Sequence, residues 1–319
     1  MMNDSDYGLL KTWISPDVNH QFIELTILSI SLVLNTTIFV VILSTKRLHT
    51  FQNVFIASLA ASDLIFAITC NIFAGIVVYS ELLDDCDYEP PIKLLCVYFF
   101  ASSFSMVSSR CFHLIISIER WMYIAWPFVH QRLVTCKSAT WCLVLLWIVS
   151  LLTGVHVIIE CTVTEFLVGF GTVDSSVHFA VGIIMLVIYV HIATIIRRQS
   201  MAVCQSRTIG TANPVYTTNG GVSWNIIRLP ITVLGSFFLL VTPIVCINIY
   251  SLVIIDRTRH LLDYKIREAC KLASYLHTWS NFFVYVLQDK EFRSVLNAYV
   301  TKVNRVYRSR KIHHHDSSN

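Results

Sequence analysis

This sequence predicts an all-α membrane protein: a seven-transmembrane helix bundle with a short amphipathic inner-leaflet helix after the seventh span. Three observations carry that expectation. Of 319 residues, 55% are hydrophobic and only 14% charged, where a soluble globular chain carries about 25% charged residues. Mostly apolar runs of the length that crosses a bilayer, about 20 residues, recur seven times. The connections carry sixteen Lys/Arg on one side and seven on the other, and basic residues flank spans on the cytoplasmic face.

The spans follow in order. Residues 22–44 form the first, mostly apolar, with Asn35 inside it. Residues 51–79 form the second, with Asp63 inside "SLAASDL". The third, 94–118, contains Ser109, Arg110 and His113 and ends at "SIERWMYIAWP". The fourth covers 139–159 and the fifth 177–196, closed by Arg197 and Arg198. The sixth covers 226–255 and includes Asn248. The seventh, 266–287, rests on length, because Arg267, Glu268, Lys271 and His277 lower its hydropathy. After it, Phe292, Val295, Leu296 and Tyr299 recur at helical spacing among basic residues. That pattern suits a helix lying on anionic lipid.

The chain divides into an extracellular segment 1–21, the bundle 22–288, and a cytoplasmic helix and tail 289–319. The charge bias puts the N-terminus outside and the tail inside. No basic region followed by a short apolar run opens the chain, so the first span is expected to act as its own signal; the alternative is a cleaved leader and six spans. Fifteen acids lie outside and four inside, which leaves the outer face net −8 and the inner face +12. An acidic rim attracts cations or basic peptides. It is equally what a solvated rim looks like. Asn3, in "NDS", is a glycosylation acceptor on the outer side.

Ten cysteines are present, most of them within spans. Cys86, Cys96 and Cys161 lie near the oxidising outer face, and one disulfide among them is expected. A Cys96–Cys161 bond would tie the loop after the fourth span over the bundle mouth, with Cys86 the rival partner. No metal-spaced His cluster, phosphate loop or nucleophile elbow is present, so no enzyme, metal site or nucleic-acid partner is expected.

Polar groups inside spans are costly and normally face the bundle interior. Asn35 is expected to make interhelical hydrogen bonds. Asp63 requires a cation or several donors. Arg110 stands ten residues before Arg120, about 15 Å deeper along the helix, and must pair. Asp63 lies at similar depth, so an Asp63–Arg110 pair is expected, with His178 and backbone carbonyls as alternative surroundings.

These residues resemble the rhodopsin-like (class A) G-protein-coupled receptors over about 22–299. "LNTTIFVVIL" with Asn35, "KRLHTFQNVFIASLAASDL" with Asp63, "SIERWMYIAWP" with Glu119 and Arg120, and Trp147 are similar to that family's motifs. So are Tyr189, "FFLLVTP" with Phe237 and Pro243, and "NFFVY" with Asn281 and Tyr285. Departures are present. Trp121 follows the arginine, Val181 and Val241 stand where a proline and a tryptophan are usual, and Phe282 replaces the seventh span's proline.

The resemblance implies a plasma-membrane receptor for an extracellular ligand that activates a heterotrimeric G protein. It implies an activation switch of Glu119, Arg120, Tyr189, Asn281 and Tyr285. It implies a buried polar relay of Asn35, Asp63 and Arg110, with a sodium ion near Asp63 opposed by the Arg110 charge, and no other cofactor. The ligand pocket is expected at Ser102, Ser103, Met106, His178, Asn248, Lys271 and Tyr275. Ser102 stands where amine receptors carry an aspartate, which disfavours amines, and the acidic rim favours a basic peptide. A seven-helix scavenger that binds ligand without coupling is the alternative, favoured by the departures. A secondary transporter would show internal repeats and broken spans.

Overall fold

The computed structural model describes residues 18–82, 92–161, 168–208, 224–253 and 260–302. Asn3, Cys86 and the acidic loop residues Asp84, Asp85, Asp87 and Glu89 lie outside the described residues. In chain order the helices are α1 (Val18–Ser44), α2 (Phe51–Leu82), α3 (Ile92–Ala125), α4 (Pro127–Leu133) and α5 (Cys136–Ile159). There follow α6 (Val168–Thr208), α7 (Trp224–Val253), α8 (His260–Tyr275) and α9 (His277–Gln288). Residues 290–302 form α10. A one-turn 3-10 helix, Lys46–Leu48, joins α1 to α2. The first six spans are α1, α2, α3, α5, α6 and α7, and the seventh is α8 with α9.

Among the described residues, five helices are long and apolar enough to cross a membrane, and α7 adds the apolar stretch Gly235–Tyr250. The five run past the expected hydrophobic limits at one end or both. The helices close a ring. The first span packs on the second, the second on the third, the fifth on the sixth, the sixth on the seventh, and the seventh returns to the first. The third is central and touches the second, fourth, fifth and sixth.

Local sequence sets the junctions. Pro127 occupies the first turn of α4, where its missing N–H costs nothing. At α5, Thr135 accepts from Ser138 N at 3.2 Å while Ser138 Oγ accepts from Thr135 N at 2.9 Å, a reciprocal cap. At α10, the Asp289 carboxylate accepts from Glu291 N at 2.9 Å and Phe292 N at 3.0 Å. Phe292 is buried against Tyr285, and Tyr299 donates to Ser44 Oγ at 2.9 Å, which ties α10 to the first span. The third and fourth spans approach closely at Gly154, where a Cβ would sit 2.7 Å from the Phe100 ring.

The seventh span breaks at Leu276. Replacement of its proline by Phe282 predicts a straighter helix there, and the break indeed lies six residues earlier. Leu276 N bonds Ala273 O at 3.1 Å and Trp279 N bonds Leu276 O at 3.1 Å, a tightened turn. Ser274, Thr278 and Ser280 hydroxyls donate to Lys271 O, Tyr275 O and His277 O, and the His277 ring meets Ser274 O. Side chains competing for successive carbonyls bend a helix.

Candidate functional site

At the inner end of the third span, Glu119 is buried and Arg120 half-buried. Arg120 Nε lies 3.4 Å from Glu119 Oε2, an ion contact, while His130 Nε2 meets Glu119 Oε1 at 2.8 Å. Because α4 folds back under the third span, its His130 shares the carboxylate with Arg120. One turn above, Ser117 Oγ and Tyr189 Oη are 3.2 Å apart. Tyr189 packs with Ile124, Met185, Ile192 and Ile196. Trp121 Nε1 donates to His191 Nδ1 at 2.8 Å and packs on Trp126 at 4.8 Å between ring centres. Phe128, 86% exposed, projects from α4 beside this cluster.

The mid-bundle relay differs from expectation. Arg110 does not pair with Asp63. Its guanidinium makes a two-pronged bond to Asp174 of the fifth span, Nη1 to Oδ1 at 2.6 Å and Nη2 to Oδ2 at 2.9 Å. The reason is azimuth. Ser108 faces the second span, with its Oγ 2.5 Å from Ser62 Oγ. Two residues turn a helix by about 200°, so Arg110 points away from Asp63 toward the fifth span. Matching depth was not enough.

Asp63 instead accepts from Asn281 Nδ2 at 3.2 Å, with His277 Nε2 3.9 Å away. Asn35 donates to Thr278 O at 3.2 Å and to Ser31. Asn35 and Asp63 therefore grip the seventh span at two successive points. Among the described residues, Asp63 Oδ1 and Asn281 Oδ1 are buried without hydrogen-bond partners, and Ser109 lies beside the Asp63 carboxylate. Above them, Phe237 of the sixth span is ringed by three imidazoles. His113, His178 and His277 lie 5.0, 6.2 and 5.4 Å from its ring centre.

The expected pocket residues fall into two groups. Met106 packs against Phe237, Val241 and Val245, and His178 meets Thr242 Oγ1 at 3.1 Å. Lys271 and Tyr275 meet on the seventh span's outer half, with Lys271 Nζ 2.9 Å from Glu24 Oε2 and Tyr275 Oη 2.6 Å from Tyr98 Oη. Ser103 is buried, Ser102 half-buried, and Asn248 Oδ1 has no hydrogen-bond partner. Cys96 and Cys161 form a disulfide.

Sequence reasoning missed Glu24, Tyr98, Phe128, His130 and Asp174. Glu24 carried a signal, an acid inside an apolar run. Asp174 carried another, an acid one turn before His178. His130 carried none, since the α4 fold-back is a tertiary event.

A family model described as 7 transmembrane receptor (rhodopsin family) matches residues 34–285. The human cholecystokinin receptor type A is 35% identical over 117 residues, 34% of this chain and 26% of that receptor. The RYamide receptor of Drosophila melanogaster is 29% identical over 166 residues, 49% of this chain and 34% of that receptor. The RYamide receptor of Tribolium castaneum is 25% identical over 139 residues, 43% of this chain and 35% of that receptor. The chain thus spans about a quarter to a third of the length of these relatives.

Proposed function

Taking as premise that this chain belongs to the rhodopsin family of seven-transmembrane receptors, we propose that it is a plasma-membrane receptor for an extracellular peptide, N-terminus outside, that activates a heterotrimeric G protein. The observation that carries the coupling half is the inner cluster. A buried carboxylate, Glu119, holds both Arg120 and His130, so loss of the Arg120 contact frees a cation at the cytoplasmic mouth. Exposed Phe128 offers an apolar knob beside it. A partner presenting an acidic or carboxyl-bearing helix end and an apolar socket would take both.

Two further points support a peptide. The similar proteins are named as cholecystokinin and RYamide receptors. The outer connections are rich in acids, which favours a basic ligand. The ligand favours the active state only by its difference in affinity for the two states.

The polar core fits a small hard cation, since Asp63 Oδ1 and Asn281 Oδ1 are buried oxygens without hydrogen-bond partners among the described residues, and Ser109 lies beside the Asp63 carboxylate. Those residues would hold a sodium ion, which supplies positive charge at Asp63. Arg110 does not compete for that place, because Asp174 occupies its fork.

Expression in cells with a panel of G-protein dissociation sensors, challenged with basic peptide pools, tests the reading. A peptide response on at least one α-subunit, lost in Arg120→Ala, is expected. Saturable peptide binding with no nucleotide exchange on any α-subunit would instead establish a non-coupling receptor. The Trp121–His191 tie between third and fifth spans favours that second reading, because it braces the inner face.

A further inference from the structure

Lys271, its side chain 14% exposed, sits among acidic and aromatic side chains near the outer mouth. Its Nζ donates to Glu24 Oε2 at 2.9 Å and stands 4.0 Å from Glu268 Oε2. The ring centres of Tyr98 and Tyr275 lie 5.9 and 5.8 Å away, within cation–π range. The two tyrosines are hydroxyl-bonded to each other, with Phe73 against Tyr98 and Phe66 against Tyr275. One ammonium therefore faces two carboxylates, and it has bonded the first.

Glu268 is the remainder. It is 1% exposed, yet among the described residues neither carboxylate oxygen has a hydrogen-bond partner. His20 and Arg267 are the other basic groups within electrostatic reach. A buried carboxylate without donors is costly, and such groups are ordinarily paired. Glu268 stands eight residues into α8 from its outer start at His260, about 12 Å along the helix, a depth a ligand side chain can reach from outside.

We infer that Glu268 is the receiving group for a guanidinium carried by the ligand. Two adjacent orphaned oxygens match the planar two-pronged donor of an arginine side chain better than a point ammonium. Glu24 keeps Lys271 engaged, so the incoming cation does not have to displace it. Tyr98 and Tyr275 already present their faces to positive charge. The inference rests on the receptor reading only for the ligand being a peptide, here one with an arginine.

The test uses the full chain in lipid nanodiscs, with N-acetyl-argininamide as probe and N-acetyl-citrullinamide as its uncharged isostere, over the millimolar range at matched ionic strength. Argininamide is expected to raise the melting temperature by about 3–6 °C at ten times its dissociation constant; citrullinamide is expected to leave it unchanged. Glu268→Gln, which keeps size and removes charge, is expected to lose the response, with affinity at least ten-fold lower. Equal responses to the two isosteres, no response to either, or an undiminished response in Glu268→Gln overturns the site. Should the variant fail to fold, the isostere comparison on the native chain decides alone. No G protein takes part in this measurement. Guanidinium-selective binding without nucleotide exchange in any cell assay would refute the receptor reading and leave the site standing. Peptide-driven exchange without guanidinium selectivity would do the reverse.

Discussion

Replace Arg110 with methionine, and Asp174 keeps its carboxylate with no cation left to hold. Replace Asp174 with leucine, and the guanidinium is stranded instead. The two losses are not equal. The Asp174 side chain is 15% exposed and that of Arg110 only 1%, so the carboxylate can recover some water and the guanidinium almost none. Breaking a buried pair by removing one partner costs about 3–5 kcal/mol. Arg110→Met belongs at the lower end of that range and Asp174→Leu at the upper. At about 2–4 °C per kcal/mol for a domain of a few hundred residues, the first lowers the melting temperature by about 6–12 °C and the second by about 10–20 °C.

The double variant removes both charges and leaves apolar side chains. It is expected within a few degrees of the native protein, or above it, because replacing a whole buried pair is neutral or stabilising by about 1–4 kcal/mol. Thermal unfolding of detergent-purified protein, followed by fluorescence-detected size exclusion, closes the cycle. If the single losses add in the double variant to within about 0.5 kcal/mol, the two residues are not energetically coupled and the pairing is refuted.

Four further outcomes are expected. Glu119→Gln loosens Arg120 and His130 together; the pair is partly exposed and worth about 1 kcal/mol at most, so basal nucleotide exchange in membranes should rise up to about five-fold. Asp289→Ala removes the acceptor for two backbone N–H groups at the start of α10 and should cost about 1 kcal/mol, seen as faster amide exchange across 290–302 with the bundle unaffected. Gly154→Ala drives a Cβ into the Phe100 ring and should destabilise by about 1–3 kcal/mol. Gly235→Ala meets nothing within 4 Å and should stabilise by about 0.5–1 kcal/mol.

The spans were legible because a bilayer demands about 20 apolar residues whatever their neighbours. The seventh was the hardest to read for a reason the structure explains. Lys271 and His277 depress its hydropathy, yet Lys271 turns inward onto Glu24 and His277 toward Asp63. The polar members of the relay were legible one by one, because each is costly alone. Their pairing was not. Depth along a helix can be counted from sequence, but the facing neighbour depends on rotation and on which helix lies there, and that separated Arg110 from Asp63. The His130 contact depended on the path of α4, which a seven-residue stretch opened by Pro127 suggests as a turn of helix but does not aim. The Leu276 break escaped notice because hydroxyl and imidazole side chains, not a proline, make it.

Phe237 sits in a three-sided clasp, and each side belongs to a different helix or turn. His113 stands on the third span, His178 on the fifth and His277 just past the break in the seventh. Ring contacts of this kind contribute about 0.5–1.5 kcal/mol each beyond their buried area. A displacement of the sixth span that carries the phenyl out from among the three imidazoles gives up all three contacts together. The clasp therefore works like a detent: the sixth span rests in its notch until enough force gathers to leave it, and then leaves all at once.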